Sequence, residues 1–318
     1  MSTAFIFPGQ GSQQVGMGKA LADAFPVARA VFDEVDAALS QKLTALMWDG
    51  PADDLTLTAN AQPALMAVSL AAMRVLEAEA GLNLATDAAF VAGHSLGEYS
   101  ALAAAGALSI TDAARLLRIR GTAMQQAVPV GEGAMAALLG LDFEAAAAVA
   151  AEAAQGEVCE AANDNADGQV VVSGARGAVE RALIIAKEKG AMKALLLPVS
   201  APFHCRMMQP AAEAMAEALA KATVNAPVVP VVSNVKAAPV TDPAEIVRLL
   251  VAQVTGTVRW RESVLFMASA GVDRTVEVGA GKVLSGLSRR ITKQISASAV
   301  GTPEDVAAFI AARSAPAA

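Results

Sequence analysis

Reactive chemistry is concentrated in one short run, Val91-Ala92-Gly93-His94-Ser95-Leu96-Gly97-Glu98, where an apolar strand passes through Gly-x-Ser-x-Gly into an Ala- and Leu-rich segment. A serine at a sharp strand-to-helix corner projects its hydroxyl from the top of a sheet, and the flanking glycines admit the tight backbone path such a corner needs. Unpaired N–H groups and the positive dipole end of the following helix can hold an oxyanion beside that hydroxyl. Ser95 is therefore the candidate nucleophile. A hydroxyl needs a base, and the chain has 2 histidines, His94 and His204. His94 adjoins Ser95, and neighbouring side chains diverge at a tight corner, which leaves His204. It follows the Pro-punctuated stretch Pro198–Phe203 at the end of an apolar run, in the kind of loop that carries catalytic groups. Cys205 beside it is a poor rival nucleophile, because an adjacent Cys–His pair cannot readily make the hydrogen bond required.

Composition narrows the classes. The chain has 318 residues, enough for a substantial core, and is 55% hydrophobic with only 4% aromatic, so Ala, Val, Leu and Met must fill its interior. A net charge of −7 argues against nucleic acid as the main partner. Apolar runs such as Ala64–Met73 and Ala101–Leu108 are far shorter than the ~20 residues a bilayer requires, and the start lacks a basic region and cleavage site. Cys159 and Cys205 show neither Cys-x-x-Cys nor metal spacing and read as reduced thiols of a cytoplasmic protein.

Several elements must bring these groups together. Ala4–Phe7 reads as a buried strand ending in Pro8-Gly9-Gln10-Gly11-Ser12, a turn whose N–H groups can surround a concave site although the Gly-Lys-Ser/Thr of a Walker loop is absent. Helices are expected over Gly18–Phe25 and Val27–Leu46, an irregular polar stretch over Asp49–Ala59, a helix over Pro63–Ala80, and a strand over Ala88–Ala92 into the corner. Helices follow at Ser95–Ala105 and Thr111–Val128, the second capped by Ser109 or Thr111. On that second helix Arg115 and Arg118 read as solvated, while Ile119 and Met124 suggest an inward face for Arg120.

Between Pro129 and Pro198 the pattern changes to βαββαβ: strands Ala134–Gly140, Glu157–Ala161, Gln169–Ser173 and Lys193–Leu197, with helices Asp142–Ala154 and Ala175–Lys189. That order is ferredoxin-like. Asn163-Asp164-Asn165-Ala166-Asp167-Gly168 reads as the turn between the central strands. The expectation is a small subdomain, 129–198, inserted into a large α/β unit made of 1–128 and 199–318, with a ligand site in the cleft between them. Beyond it, helices near Met207–Lys221, Pro243–Val254 and Trp260–Ala270 alternate with strands Val228–Ser233, Arg274–Val278 and Ser296–Val300. Pro230 suits a sheet edge or a strand end. Gly279-Ala280-Gly281-Lys282 forms a second glycine turn, a last helix starts at Glu304, and the tail Ser314–Ala318 is expected to be disordered.

Phe7-Pro8-Gly9-Gln10-Gly11-Ser12-Gln13, Gln62-Pro63-Ala64, Gly93-His94-Ser95-Leu96-Gly97-Glu98-Tyr99, Arg120-Gly121, Phe203-His204 and Glu277-Val278-Gly279 stand in the order and spacing of one family. Over nearly its whole length the chain resembles the malonyl-CoA:acyl carrier protein transacylases. The resemblance implies an α/β fold with a hydrolase-like parallel-sheet large subdomain and an inserted ferredoxin-like small one. It implies transfer of malonyl from malonyl-CoA to the phosphopantetheine thiol of holo acyl carrier protein through a malonyl-serine, in a ping-pong cycle feeding fatty acid or polyketide synthesis. A serine esterase or thioesterase using the same pair is the alternative, and a carrier-binding protein without catalysis a third.

The resemblance also assigns roles. Ser95 and His204 form a dyad, the backbone N–H groups of Gln10 and Leu96 make the oxyanion hole, and the Gln253 carbonyl orients the histidine. Arg120 pairs with the malonyl carboxylate, Phe203 favours malonyl over branched units, and Gln62, Asn163 and Asn165 are polar neighbours of the site. No bound cofactor or metal is expected, the CoA thioester being substrate and the phosphopantetheine belonging to the partner. An acidic carrier would dock on Lys187, Lys189 and Lys193 or on Arg289, Arg290 and Lys293. Two departures stand out: Ala280 replaces the family's usual proline, and Asp164 and Asp167 replace commoner neutral residues and are expected to face solvent.

Overall fold

The computed structural model describes residues 2–199 and 201–314. Two separate sheets organise the chain. The first runs in the order β10-β9-β1-β2-β7-β8, built from β1 (Thr3–Phe7), β2 (Phe90–Gly93), β7 (Val231–Val232), β8 (Pro239–Val240), β9 (Arg274–Val278) and β10 (Ser296–Val300). All its pairs are parallel except β7 with β8. The second, antiparallel, runs β4-β5-β3-β6 and uses β3 (Gly133–Leu139), β4 (Cys159–Ala166), β5 (Gln169–Ala175) and β6 (Lys193–Leu196). The mixed α/β class and the ferredoxin-like strand order agree with the expectation from sequence.

A parallel sheet covered on both faces needs strands that are apolar on both sides, and β1 shows why these residues qualify. Phe5 and Phe7 enter the main core, while Ala4 and Ile6 pack on the other face with Trp260 and Met267. The helix Thr58–Ala80 is buried on nearly all sides and carries small residues where other helices cross it. Gly121 makes one such crossing possible. A Cβ there would lie 2.5 Å from the Thr58 carbonyl oxygen, so its own helix, Ile110–Gln126, can press against the start of that buried helix.

Several expected boundaries move. The single helix Val27–Leu46 is broken at Ser40 (φ 50) into Pro26–Leu39 and Leu43–Asp49, and the buried Asp36 carboxylate accepts the Thr44 N–H and hydroxyl across the break. No glycine or proline marks that point. The stretch expected to be irregular contains the helix Ala52–Thr56, and the next helix begins at Thr58 with Pro63 inside it. Reading Pro63 as a first-turn residue therefore started that helix too late. The strand around Val228–Ser233 shrinks to β7, with Pro230 just before it donating nothing but accepting the Val91 N–H through its carbonyl. Of the tail expected to be disordered, Ser314 instead ends the helix Pro303–Ser314, and residues 315–318 lie outside the described ones.

The largest correction concerns Asp164. β4 extends to Ala166, so the turn is only Asp167-Gly168, and Asp164 is 1% exposed instead of facing solvent. Both its oxygens accept from Arg261 Nε, at 3.1 and 3.0 Å. Asp167 is exposed as expected. The same strand also pairs outside its sheet, with the segment leading into the helix Trp260–Ser269: Asp164 N donates to Val258 O and Val258 N to Ala162 O, both at 2.9 Å, in a bridge that pairs Asn163 with Val258. That segment is thus tied to the small sheet by main-chain hydrogen bonds.

Candidate active site

The corner at Ser95 is closed by two glycines whose missing side chains are a matter of space. A Cβ on Gly93 would stand 1.9 Å from Gly97 C, and one on Gly97 would stand 2.3 Å from the Phe7 carbonyl oxygen. Ser95 itself takes φ 53, a left-handed conformation that a non-glycine residue holds only when its surroundings enforce it. Asn234 is the enforcing group. Its Oδ1 accepts the Ser95 N–H at 2.7 Å and its Nδ2 donates to Gly93 O at 2.7 Å, bracketing the corner. His204 also lies in the left-handed region, at φ 58.

The two candidate catalytic side chains meet. Ser95 Oγ is 2.8 Å from His204 Nε2, and His204 Nδ1 is 2.9 Å from the Gln253 carbonyl oxygen. A carbonyl can only accept, so the proton sits on Nδ1 and Nε2 faces the serine hydroxyl as an acceptor. Burial, with the Arg120 charge adding to it, holds His204 down at about 3, so the ring is neutral and able to take a proton. His94 points elsewhere, as adjacency suggested: its Nε2 meets Asn165 Oδ1 at 2.8 Å and its ring packs 5.7 Å from that of Trp260.

Arg120 is 1% exposed and reaches the nucleophile. Its Nη2 donates to Ser95 Oγ at 3.1 Å and to Gln253 Oε1 at 2.8 Å, and its Nη1 donates to Gln62 Oε1 at 2.8 Å. Its Nε has no partner among the described residues, and the guanidinium lies over the Tyr99 ring, 5.7 Å from the centroid. Burial pulls its pKa down, while Tyr99 and Glu98 oppose that. Three neutral acceptors hold this cation, and a carboxylate would bind it more strongly than any of them.

These groups open into a cavity of about 470 Å3. Gln10, Gln62, Leu96, Asn163 and Asn165 line it together with Ser95, Arg120 and His204, and Phe203 joins Met124, Met135 and Val171 in its apolar wall. The Gln10 side chain is tied back to Thr58 Oγ1 at 3.2 Å. Among the described residues the backbone N–H groups of Gln10 and Leu96 make no hydrogen bond, and both residues line the cavity with Ser95. Leu96 is the N-cap of the helix Gly97–Ala104. The turn that holds Ala280 packs on the N-terminal glycine loop, where a Cβ on Gly281 would lie 3.4 Å from Ser12 Cβ, and burial pushes both thiols, Cys159 and Cys205, up to about 11. Among the described residues no cluster of three metal-ligating side chains exists, and no helix is long and apolar enough to cross a membrane.

Sequence reasoning missed three contributors: Asn234, the side chain of Gln253, and Glu98. Glu98 was visible in the motif, but nothing local says that it points inward. It is 2% exposed, and its Oε2 accepts from Gln253 Nε2 at 2.7 Å and from Asn234 N at 3.1 Å. Burial pushes its carboxyl up to about 7 against an ordinary 4.5, partly opposed by those hydrogen bonds. The sign of the consequence follows from proton counting. Between these two values the folded chain keeps a proton that the unfolded chain releases, so this group costs stability as pH rises through the window. Glu98→Gln binds no proton in either state. Relative to the wild type it should therefore gain up to about 3 kcal/mol between about pH 5 and pH 8. Melting temperatures of both proteins at the two pH values test this, and a constant difference would contradict it.

Comparisons with known proteins bear on the whole chain. Residues 4–309 match the family model described as acyl transferase domain. The chain is 48% identical over 307 residues to the malonyl CoA-acyl carrier protein transacylase of Escherichia coli K12, covering 96% of this chain and 98% of that protein. The crystal structure of an acyl-carrier-protein-S-malonyltransferase from Bartonella henselae superposes with a TM-score of 0.96 at 57% identity, covering 99% of this chain and 100% of that one. A malonyl-transacylase in complex with a type II polyketide acyl carrier protein superposes with a TM-score of 0.94 at 42% identity, covering 98% and 100% respectively.

Proposed function

The chain belongs to the acyl transferase family, among its malonyl CoA-acyl carrier protein transacylases, and from that premise we propose how its own residues carry malonyl from CoA to the carrier. The protein is an S-malonyltransferase acting on malonyl-CoA and holo acyl carrier protein, and it supplies malonyl units for fatty acid biosynthesis. We assign residues 129–198 to an inserted small subdomain and place the enzyme in the cytoplasm.

In the first half-reaction Ser95 Oγ attacks the thioester carbonyl while His204 Nε2 takes its proton. The oxyanion that forms is held by the N–H groups of Gln10 and Leu96, each worth about 3 to 4 kcal/mol in the transition state. Collapse breaks the C–S bond, and His204 returns the proton to the departing CoA sulfur. The second half-reaction runs the same steps backwards, with the phosphopantetheine thiol giving its proton to His204 and Ser95 Oγ receiving it. The Gln253 carbonyl does the work of a triad carboxylate in fixing the ring, without adding a charge. Asn163 and Gln62 serve as polar neighbours of the acyl group, and Phe203 narrows the wall against branched units.

One observation carries the malonyl assignment: a buried guanidinium 3.1 Å from the nucleophilic oxygen. In a malonyl ester the free carboxylate lies two bonds beyond the carbonyl carbon, within reach of a cation that already touches Oγ. A general esterase has no need of such a cation. The carrier is expected to dock where charge is not neutralised. Lys189 is paired with Glu152 at 2.9 Å, which leaves its cluster two uncompensated charges, Lys187 and Lys193, among the described residues, whereas Arg289, Arg290 and Lys293 donate to uncharged oxygens and keep three, which favours the latter cluster.

The test is a comparison of two incubations with malonyl-CoA, one containing holo acyl carrier protein. Acid-quenched protein from the first should carry one malonyl group on Ser95, and the second should yield malonyl carrier. CoA release by hydrolysis alone, with no malonyl carrier formed, would support the esterase reading instead.

A further inference from the structure

We propose that Glu98 is the positioning residue for the acyl-selecting cation, holding the Arg120 guanidinium in register with Ser95 through the side-chain amide of Gln253. The inference rests on the proposed pairing of Arg120 with the malonyl carboxylate. Glu98 leaves the first turn of the helix that begins at Gly97, points away from solvent, and accepts Gln253 Nε2 at 2.7 Å. At the other end of the same amide, Gln253 Oε1 accepts Arg120 Nη2 at 2.8 Å. A carboxylate only accepts and a guanidinium only donates, so an amide between them has one orientation available, with its dipole along the field from cation to anion.

The amide is also tied to the nucleophile, because Gln253 Nε2 donates to the Ser95 carbonyl at 3.0 Å. Gln62 fixes the second guanidinium nitrogen from the opposite side. Gln253 thereby serves two parts of the site with separate atoms, its backbone oxygen orienting His204 and its side chain orienting Arg120. Glutamine at position 98 would keep the size of the side chain but could donate as well as accept. The Gln253 amide keeps its polarity, set by Arg120 and the Ser95 carbonyl, but loses its charge-assisted anchor, and the fork it holds shifts off the path of the substrate carboxylate.

The experiment compares kcat/KM for malonyl-CoA and acetyl-CoA in the wild type, Glu98→Gln, Gln253→Leu and the double variant. Burial pushes Glu98 up to about 7, so the assays are run at about pH 8, where it is ionised. The ratio of the two substrates within one protein cancels any loss of folded enzyme. Glu98→Gln should lower the malonyl-to-acetyl ratio about tenfold, mainly through the malonyl KM. Gln253→Leu should lower it similarly, and the double variant should fall no further, since both changes break one relay. A fall of less than about fivefold in Glu98→Gln, or a double variant whose loss is the product of the two, overturns the proposal. A wild type that does not prefer malonyl would instead overturn the role given to Arg120, so the two failures are distinct.

Discussion

Ser95→Ala should lower malonyl transfer by at least about 10^4-fold, and His204→Ala should do the same, while the double variant should be little worse than either. The two side chains act as one unit: a hydroxyl 2.8 Å from a neutral imidazole is a nucleophile only while that imidazole can take its proton. Removing either member leaves the oxyanion donors and the cavity intact, so the residual rate in all three variants should be similar. Intact-mass measurement distinguishes their causes. Ser95→Ala should carry no acyl group at any time, whereas His204→Ala should acquire one slowly at Ser95. An acyl group at another position in Ser95→Ala, or a fully active His204→Ala, would remove the dyad from the mechanism.

The base is unusual in how it is held. Its Nδ1 partner is a neutral carbonyl, and the Arg120 charge acts on the ring, so burial and Coulomb repulsion both disfavour the imidazolium. In the free enzyme the ring is a weak base. In the proposed pairing, the malonyl carboxylate on Arg120 offsets that cation's share of the depression. The substrate thus brings part of what the base lacks, and an acyl group without a carboxylate does not. On that proposal, selection acts on the chemical step as well as on binding.

How much of this was legible in the chain follows from where each contact partner sits. The Ser95 corner could be read directly because strand, glycines and serine are contiguous, and His204 could be read because only one other histidine competes. The ferredoxin-like unit declared itself through periodicity, each of its elements being long and regular. Arg120 had the glycine after it, whose meaning needed the crossing with Thr58 to become apparent, and the flanking Met124, which is buried, whereas Ile119 beside it, read as facing inward too, is exposed. Asn234 and the Gln253 side chain had none, since they meet Ser95 across 139 and 158 residues of sequence. Asp164 misled for the same reason. Turn-forming neighbours suggested a solvated loop, whereas the charge that allows its burial, Arg261, stands 97 residues away. Pro63 misplaced a helix start because a rule about first turns does not forbid a proline deeper inside a helix packed on all sides.

Arg120→Ala should cost malonyl transfer about 30-fold to 10^3-fold or more while leaving acetyl transfer much less affected. The lower bound is the loss of a buried, charge-assisted pair, and the upper bound adds the penalty of a malonyl carboxylate left without a partner in an apolar-walled cavity. The acetyl rate has less to lose, because that substrate presents no anion, and removing the cation relieves the repulsion that keeps His204 a weak base. Arg120→Lys separates charge from geometry. A lysine retains the positive charge but places all its donors on one nitrogen, and cannot span the separate positions from which Nη1 meets Gln62 and Nη2 meets Gln253. Its malonyl rate should therefore fall between those of the wild type and Arg120→Ala. Measuring kcat/KM for both thioesters in all three proteins decides the matter: equal losses for malonyl and acetyl in Arg120→Ala would make the residue a structural support for Ser95, with no part in choosing the acyl group.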